Sequence, residues 1–230
     1  MPDLPPSKHF PPAEFADEDG FLGVGGELSP EWLLDAYSHG IFPWPWDGRP
    51  AAPIPWFSPD PRAVLPLDDR FHVPRRLQRT CRSGRFRVTF NQSMSDVIRC
   101  CAAQPDRVGE TWIFPRMIGA YTELHQLGAV GSVEVWSDDR LVGGLYGVTI
   151  GGLFSAESMF HAERDASKVA LVALVERLRE RNIKLLDIQQ MTSHLEQFGA
   201  IEIAREDYLA QLAIALQCGA KSFVEMKKDK

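Results

Sequence analysis

From residue 87 onward the hydrophobic and polar positions of this chain follow readable periods, and before it they mostly do not. Alternation with a period of two predicts strands at Arg87 to Phe90, Val130 to Trp136, Leu141 to Ile150 and Leu153 to Met159. Ser137-Asp138-Asp139-Arg140 reads as a hairpin turn, and Gly151-Gly152 precedes the returning strand. The helical period predicts Ser93 to Ala103, with Ser93 and Asp96 as a capping box, and Pro115 to Leu127, stopped by Gly128. It also predicts a long amphipathic helix from Ala166 to Arg181 and a closing helix from Arg205 to Leu216. Between these two lie a buried strand from Ile183 to Gln189, a helical turn from Ser193 to Phe198 and a short strand from Ile201 to Ile203.

The first part of the chain is governed by proline and tryptophan instead. Residues 1 to 28 read as an extended lead-in with turns, and Gly23-Val24-Gly25-Gly26 is a turn, since it lacks the glycine spacing and lysine of a phosphate loop. Ser29-Pro30 opens a short helix that places Trp32, Leu33, Ala36 and Tyr37 on one face and stops at Gly40. The segments Ile41 to Trp46 and Ile54 to Arg62 hold five prolines, which are expected to forbid regular ladders and to present the indoles on rigid extended backbone. Such indoles serve either as packing between a small domain and a larger one or as a stacking platform for a base.

Composition adds limits. A chain of 230 residues can bury a core without staples. Cys100 and Cys101 are adjacent, Cys81 and Cys218 stand apart, and neither a Cys-x-x-Cys nor a His-Glu-x-x-His spacing occurs, so no metal site is expected and a reducing cytoplasm is the default. The start lacks the features of a signal peptide, no run approaches the length of a bilayer span, and no membrane partner is expected. The net charge of −6 is unevenly spread: residues 1 to 69 carry −9, residues 70 to 87 carry seven arginines and no acid, and the remainder carries −4. Within that island Pro74 starts a helix and Gly84 ends it, and Arg75, Arg79 and Arg82 recur at spacings of four and three. They share a face, either simply solvated or tracking phosphates together with Arg76.

Asp187 and Gln189 close the buried strand and are expected to project from one face, with Ile188 on the other. Either they do chemistry in a crevice at the carboxyl end of an open sheet, or Asp187 merely ends the strand and caps the next helix. His194 reads as an amphipathic-turn residue.

The element order matches that of a GNAT-type acyltransferase domain, a fold-level analogy. Acetyl-CoA enzymes of that fold hold pyrophosphate on a glycine-rich loop before the long helix, where this chain has Phe160-His161-Ala162-Glu163-Arg164-Asp165, without glycine. A thioester donor is therefore disfavoured. The chain resembles the leucyl/phenylalanyl-tRNA–protein transferase family from about Gly20 to Leu212. The resemblance rests on eight blocks in one order: Gly25 to Pro30, Gly40 to Trp44, Trp56 to Arg62, Gly109 to Ile113, Val142 to Val148, Glu157 to Phe160, Ala166 to Lys168 and Asp187 to Gln189.

The resemblance implies an α+β fold: a small amino-terminal domain, residues 1–62, packed on a GNAT-like catalytic domain, residues 63–230, with a mixed, mostly antiparallel sheet. It implies transfer of Leu, Phe and also Met from aminoacyl-tRNA to proteins beginning with Arg or Lys, marking them for degradation, by a cytoplasmic monomer. Trp44 and Trp112 would stack the 3′-terminal adenosine, and Arg75, Arg76, Arg79 and Arg82 would hold the acceptor stem. Leu145, Phe154, Met159, Leu171, Leu174 and Leu186 would line the aminoacyl pocket, which distinguishes a methylene by only about 1–3 kcal/mol. Asp187, Gln189 and Glu157 would be catalytic: Gln189 orients the attacking amine, Asp187 holds Gln189 and stabilises the developing cation, and Glu157 meets the acceptor unless it pairs with Lys168 or Arg164. The ester is already activated, so no cofactor is expected. Leu174 stands where the best-known member has phenylalanine, and Thr192 where it has asparagine, which leaves both specificities open. The rival readings are an N-acyltransferase with a thioester donor and a non-catalytic tRNA or degron binder, which would not need Asp187 or Gln189.

Overall fold

The computed structural model describes residues 4–45, 53–104 and 111–224; Trp46, Gly109 and Glu110, within the motifs above, lie outside the described residues. The amino-terminal part is more regular than its prolines suggest. Strands β1 (Phe21–Val24), β2 (Phe42–Pro43) and β3 (Pro55–Phe57) form an antiparallel sheet in the order β1-β3-β2, packed against helix α1 (Pro30–Ser38). The prolines do not prevent the ladder because they sit where an N–H is dispensable. Pro43 ends an edge strand and Pro55 starts β3, while its carbonyl still accepts from Trp44 N–H at 3.0 Å. The lead-in is likewise partly strand: Gly23 and Val24 belong to β1, and the turn is confined to Gly25 and Gly26, whose φ values are +117° and +70°.

The larger sheet has the order β10-β4-β9-β8-β7-β6-β5. Its strands are β4 (Arg62–Val64), β5 (Arg87–Phe90), β6 (Val130–Ser137), β7 (Arg140–Ile150), β8 (Leu153–His161), β9 (Leu185–Gln189) and β10 (Ile201–Ile203). All neighbours run antiparallel except β8 and β9, which are joined by the long helix α5 (Ala166–Glu180). The expected mixed, mostly antiparallel sheet is thus present. Strand β4, which periodicity did not predict, sits between β9 and β10.

Helices cover both faces. Helix α5 and the arginine-rich α2 (Arg75–Arg82) pack on the face carrying Val133, Val135, Leu145, Phe154 and Leu186. Helices α3 (Met94–Ala102) and α4 (Pro115–Gln126), with α1, pack on the face carrying Val130, Tyr146, Val148 and Phe160. Gly143 admits the close approach of α5, because a Cβ there would stand 2.6 Å from Cβ of Ala166 at the start of that helix. The predicted capping box at Ser93 does not form. The Ser93 side chain makes no cap bond, and the backbone N–H groups of Gln92 and Ser93 donate instead to buried Glu134 at 3.2 and 3.3 Å. The chain closes with the short α6 (Ser193–Glu196) and with α7 (Arg205–Leu216).

Three irregularities interrupt the ladders of this sheet, one at Val135 and Trp136 and two beside the opening between β8 and β9. Tyr146 faces Ser158 while Gly147 faces Ala156, so Glu157 is an extra residue in β8. Ala63 faces Gln189 while Val64 faces Asp187, so Ile188 is an extra residue in β9. The last pair of the parallel ladder is Ser155 with Asp187, after which β8 and β9 part. Bulges bend a strand and re-aim its side chains, and these two lie where the sheet opens.

Candidate active site

A cleft of about 480 Å³ occupies the parting of β8 and β9. Its walls include Ala156, Glu157, Ser158 and Met159 from β8, Ile188, Gln189 and Gln190 from β9 and the chain after it, and Ser167 and Leu171 from α5. Phe42, Pro43, Trp44 and Trp112 face the same space, as do Thr192 and His194 at α6. Both indoles singled out from the sequence therefore border one cavity with Glu157 and Gln189. Trp44 is braced edge-on by Phe57, at 5.7 Å between ring centroids.

Of the six apolar residues assigned to a pocket, Leu145, Met159 and Leu171 line the cleft. Phe154, Leu174 and Leu186 do not, and they are sealed in the core. Phe154 and Leu186 face each other across the parallel ladder one pair before the strands part, so neither can reach the opening. Ala156, Ile188 and Leu195 are apolar lining that the sequence did not single out.

The polar end of the cleft is one connected network. Asp187 is completely buried, and its carboxylate receives Arg62 Nε at 2.9 Å and Nη2 at 2.7 Å, with further bonds from Ser155 Oγ and Tyr208 Oη at 3.0 Å. It also accepts the backbone N–H of Gln189 at 2.9 Å. Gln189 has a left-handed φ of 57°, and with the bulge this breaks the alternation expected of Asp187 and Gln189. The carboxylate turns inward to Arg62, and the carboxamide turns to Ser155 Oγ and Glu157 Oε1, each at 3.0 Å.

Donor logic fixes that amide. A carboxylate only accepts, so Ser155 must donate to Asp187 and is left to accept from Gln189. Both amide hydrogens of Gln189 are then engaged, by Ser155 and Glu157, and its carbonyl oxygen remains as the polar atom available to the cleft. Glu157 is held on its other oxygen by Tyr121 Oη at 3.1 Å, which in turn meets Tyr37 Oη at 2.6 Å. The alternative ion pairs of Glu157 are not made: Lys168 Nζ lies 3.4 Å from Gln197 Oε1, and Arg164 lies beside Asp165.

The two acids titrate in opposite directions. Removal from water pushes Glu157 up to about 7; the hydroxyls of Tyr37 and Tyr121 and the charge of Arg62 restrain the rise, and Asp187 adds to it. Asp187 would also be raised by burial, but the charge and hydrogen bonds of Arg62 outweigh it and hold the carboxyl below the usual range. Burial raises Tyr37, Tyr121 and Tyr208, so these hydroxyls stay neutral donors. His194 is lowered by burial and by nearby Lys168 and His161.

Arg75, Arg76, Arg79 and Arg82 are exposed along α2 and make no ion pair among the described residues. Helix α2 packs on α5, and Arg85 beyond its end reaches Glu163 at 2.9 Å, just before α5 begins beside the cleft. Thr192 caps α6, accepting Leu195 N–H at 3.3 Å. Tyr37, Tyr121, Ser155 and Tyr208 were not marked as site residues in the sequence, and Arg62 was quoted only within a motif.

A parallel strand pair that opens onto an apolar cleft, with a held amide and a buried acid at its polar end, fits the acyltransferase architecture expected from the order of elements. Residues 64–213 match the model of the leucyl/phenylalanyl-tRNA protein transferase family, and residues 26–60 match that of its N-terminal domain. The chain is 53% identical over 88% of its length to the leucyl/phenylalanyl-tRNA–protein transferase of Nitratidesulfovibrio vulgaris strain DP4, covering 86% of that protein. It is 51% identical over 93% of its length to that of Anaeromyxobacter sp. strain Fw109-5, covering 89% of it. Among solved structures, an aminoglycoside acetyltransferase from an uncultured soil metagenomic sample overlaps 64% of this chain and 97% of its own at 12% identity, with a TM-score of 0.39. The chain belongs to the leucyl/phenylalanyl-tRNA–protein transferase family. It is an aminoacyltransferase, carrying an aminoacyl group from tRNA to protein.

Proposed function

We propose that this enzyme moves Leu, Phe or Met from aminoacyl-tRNA to the N-terminal Arg or Lys of acceptor proteins, in the cytoplasm. The observation that carries the reading is the Gln189 carboxamide, locked by Ser155 and Glu157 so that its carbonyl oxygen is left for a donor at the cleft. An α-amine is such a donor. The apolar lining of Leu145, Met159 and Leu171 suits the esterified side chain, and the indoles of Trp44 and Trp112 suit the adenine beside it.

In the reaction the neutral amine attacks the ester carbonyl, a tetrahedral oxyanion forms, and the bond to the ribose oxygen breaks. One proton must leave the amine and one must reach the ribose oxygen, and a neighbouring ribose hydroxyl can pass it between them. Gln189 orients the amine. Asp187 acts from behind, because its oxygens are taken up by Arg62, Ser155, Tyr208 and the Gln189 N–H. The group poised to face positive charge at the cleft is therefore Glu157. No helix among the described residues is long and apolar enough to cross a membrane.

The test is transfer of labelled Leu from Leu-tRNA to an Arg-initiated peptide in a single turnover. Gln189→Ala is expected to slow the chemical step by about 10²-fold, the cost of misplacing a reactant by an ångström or so, with tRNA affinity retained. An unchanged chemical step would remove Gln189 from this role. A Lys-initiated peptide should react, and a Glu-initiated one should not.

A further inference from the structure

Arg62 is the one cation that is fully buried among the described residues, and neither the reaction scheme nor its charge alone explains its surroundings. Its guanidinium engages both walls of the cleft. Toward β9 it grips Asp187 with two nitrogens, at 2.9 and 2.7 Å, and Asp187 holds the N–H of Gln189. Toward the amino-terminal sheet, Nη1 donates to the carbonyl of Gly40 at 3.0 Å, and the guanidinium lies 4.8 Å from the ring centre of Phe42. Phe42 begins β2, and Trp44 comes directly after that strand. Tyr208 is also close, with its ring centre 4.5 Å from the guanidinium.

Simple burial of a charge does not require this. A buried ion pair is often no more stabilising than apolar residues of the same volume, so stability alone is a weak reason for one here. A planar fork that donates in several directions and stacks on rings is something lysine cannot imitate. We propose that Arg62 is a positioning residue for aminoacyl transfer, fixing the wall that carries Trp44 against the wall that carries Gln189. This rests on the reading of Gln189 given above. The consequence is that the adenosine seat and the amine-orienting amide keep one spacing.

The test uses the full chain with Leu-tRNA and an Arg-initiated peptide. It measures the single-turnover rate at saturation, KM for both substrates, and the pH profile, for Arg62→Lys, Arg62→Met and Gln189→Ala. Arg62→Lys keeps a charge and loses the fork; it should lower the maximal rate at least tenfold, with KM for peptide changed less than threefold. Arg62→Met should lower it further and move the acid limb of the profile upward. Glu157 faces Tyr37, Tyr121, Asp187, Gln189 and Arg62, and loss of the cation in that set disfavours its ionised form. A loosened fold is read separately, by thermal melts of each variant across the same pH range. Should Arg62→Met fail to fold, the lysine variant decides. A slow Gln189→Ala beside an Arg62→Lys with the parent rate overturns this proposal alone. An unaffected Gln189→Ala overturns the reading beneath it.

Discussion

Glu157 and Asp187 share a hydrogen-bond network yet respond to pH in opposite senses, and both signs can be checked. Glu157 is pushed up to about 7 from an ordinary value of 4.5, so the folded protein binds its proton more tightly than the unfolded chain. Its effect on stability is most favourable below about pH 4.5 and is lost as pH rises toward 7, each unit of displacement being worth about 1.4 kcal/mol. Asp187 is held down, so its contribution is present at neutral pH and fades as pH falls below the ordinary carboxylate range. Thermal melts of Glu157→Gln should therefore show a flatter decline between pH 5 and 7.5 than the parent protein, and transfer assays should show the acid limb weakened. Asp187→Asn leaves Arg62 buried without its counter-charge and is expected to cost about 3–5 kcal/mol, read by urea denaturation. Sequence motifs contained Asp187, Gln189 and Glu157. They could not show what holds these residues, because Arg62 lies 125 positions from Asp187, and Tyr37 lies 84 from Tyr121. Nothing local in the chain encodes such a pairing.

At the scale of elements, long periodic segments were legible and short ones were not. Helix α5 and strands β6, β7 and β8 each span eight residues or more, enough to display a period. Strands β1 to β4 have two to four residues, and the first three contain a glycine or a proline, so the pattern offers nothing to count. The two bulges were equally hidden, since an inserted residue resembles ordinary alternation until a partner strand is known. Helix α2 is the element with the clearest separate test. Its Arg76 and Arg79 are exposed and free of ion pairs among the described residues, so replacing both by glutamine should leave the fold intact. It should weaken Leu-tRNA binding and reduce the slope of log affinity against log salt by about 0.9 for each duplex phosphate that is no longer neutralised. Transfer from a short aminoacyl-adenosine donor, which lacks that stem, should be unchanged.

For the molecule as a whole, the amino-terminal part and the catalytic part are more interleaved than a boundary at residue 62 suggests. Residues of α1, β2 and β3 share one core cluster with α3, α4 and the facing side of β7, and a cut after Arg62 would sever β4 at its first residue. The family models, covering 26–60 and 64–213, leave that strand at the seam. A fragment comprising residues 63–230 is expected to lack a single cooperative melt and to lose transfer activity. Adding residues 1–62 back as a separate chain should not restore either. Parent-like melting and activity of the fragment would show two independent domains.

The placing of β4 between β9 and β10 also sets an order of events during synthesis. Arg62 leaves the ribosome 125 positions ahead of Asp187, which at about 5–20 residues per second is an interval of about 6–25 s. Throughout it the strand has neither flanking neighbour, and a bare strand invites pairing with foreign chains. The arginine at its first position keeps one charge on that three-residue segment until Asp187 emerges to pair with it.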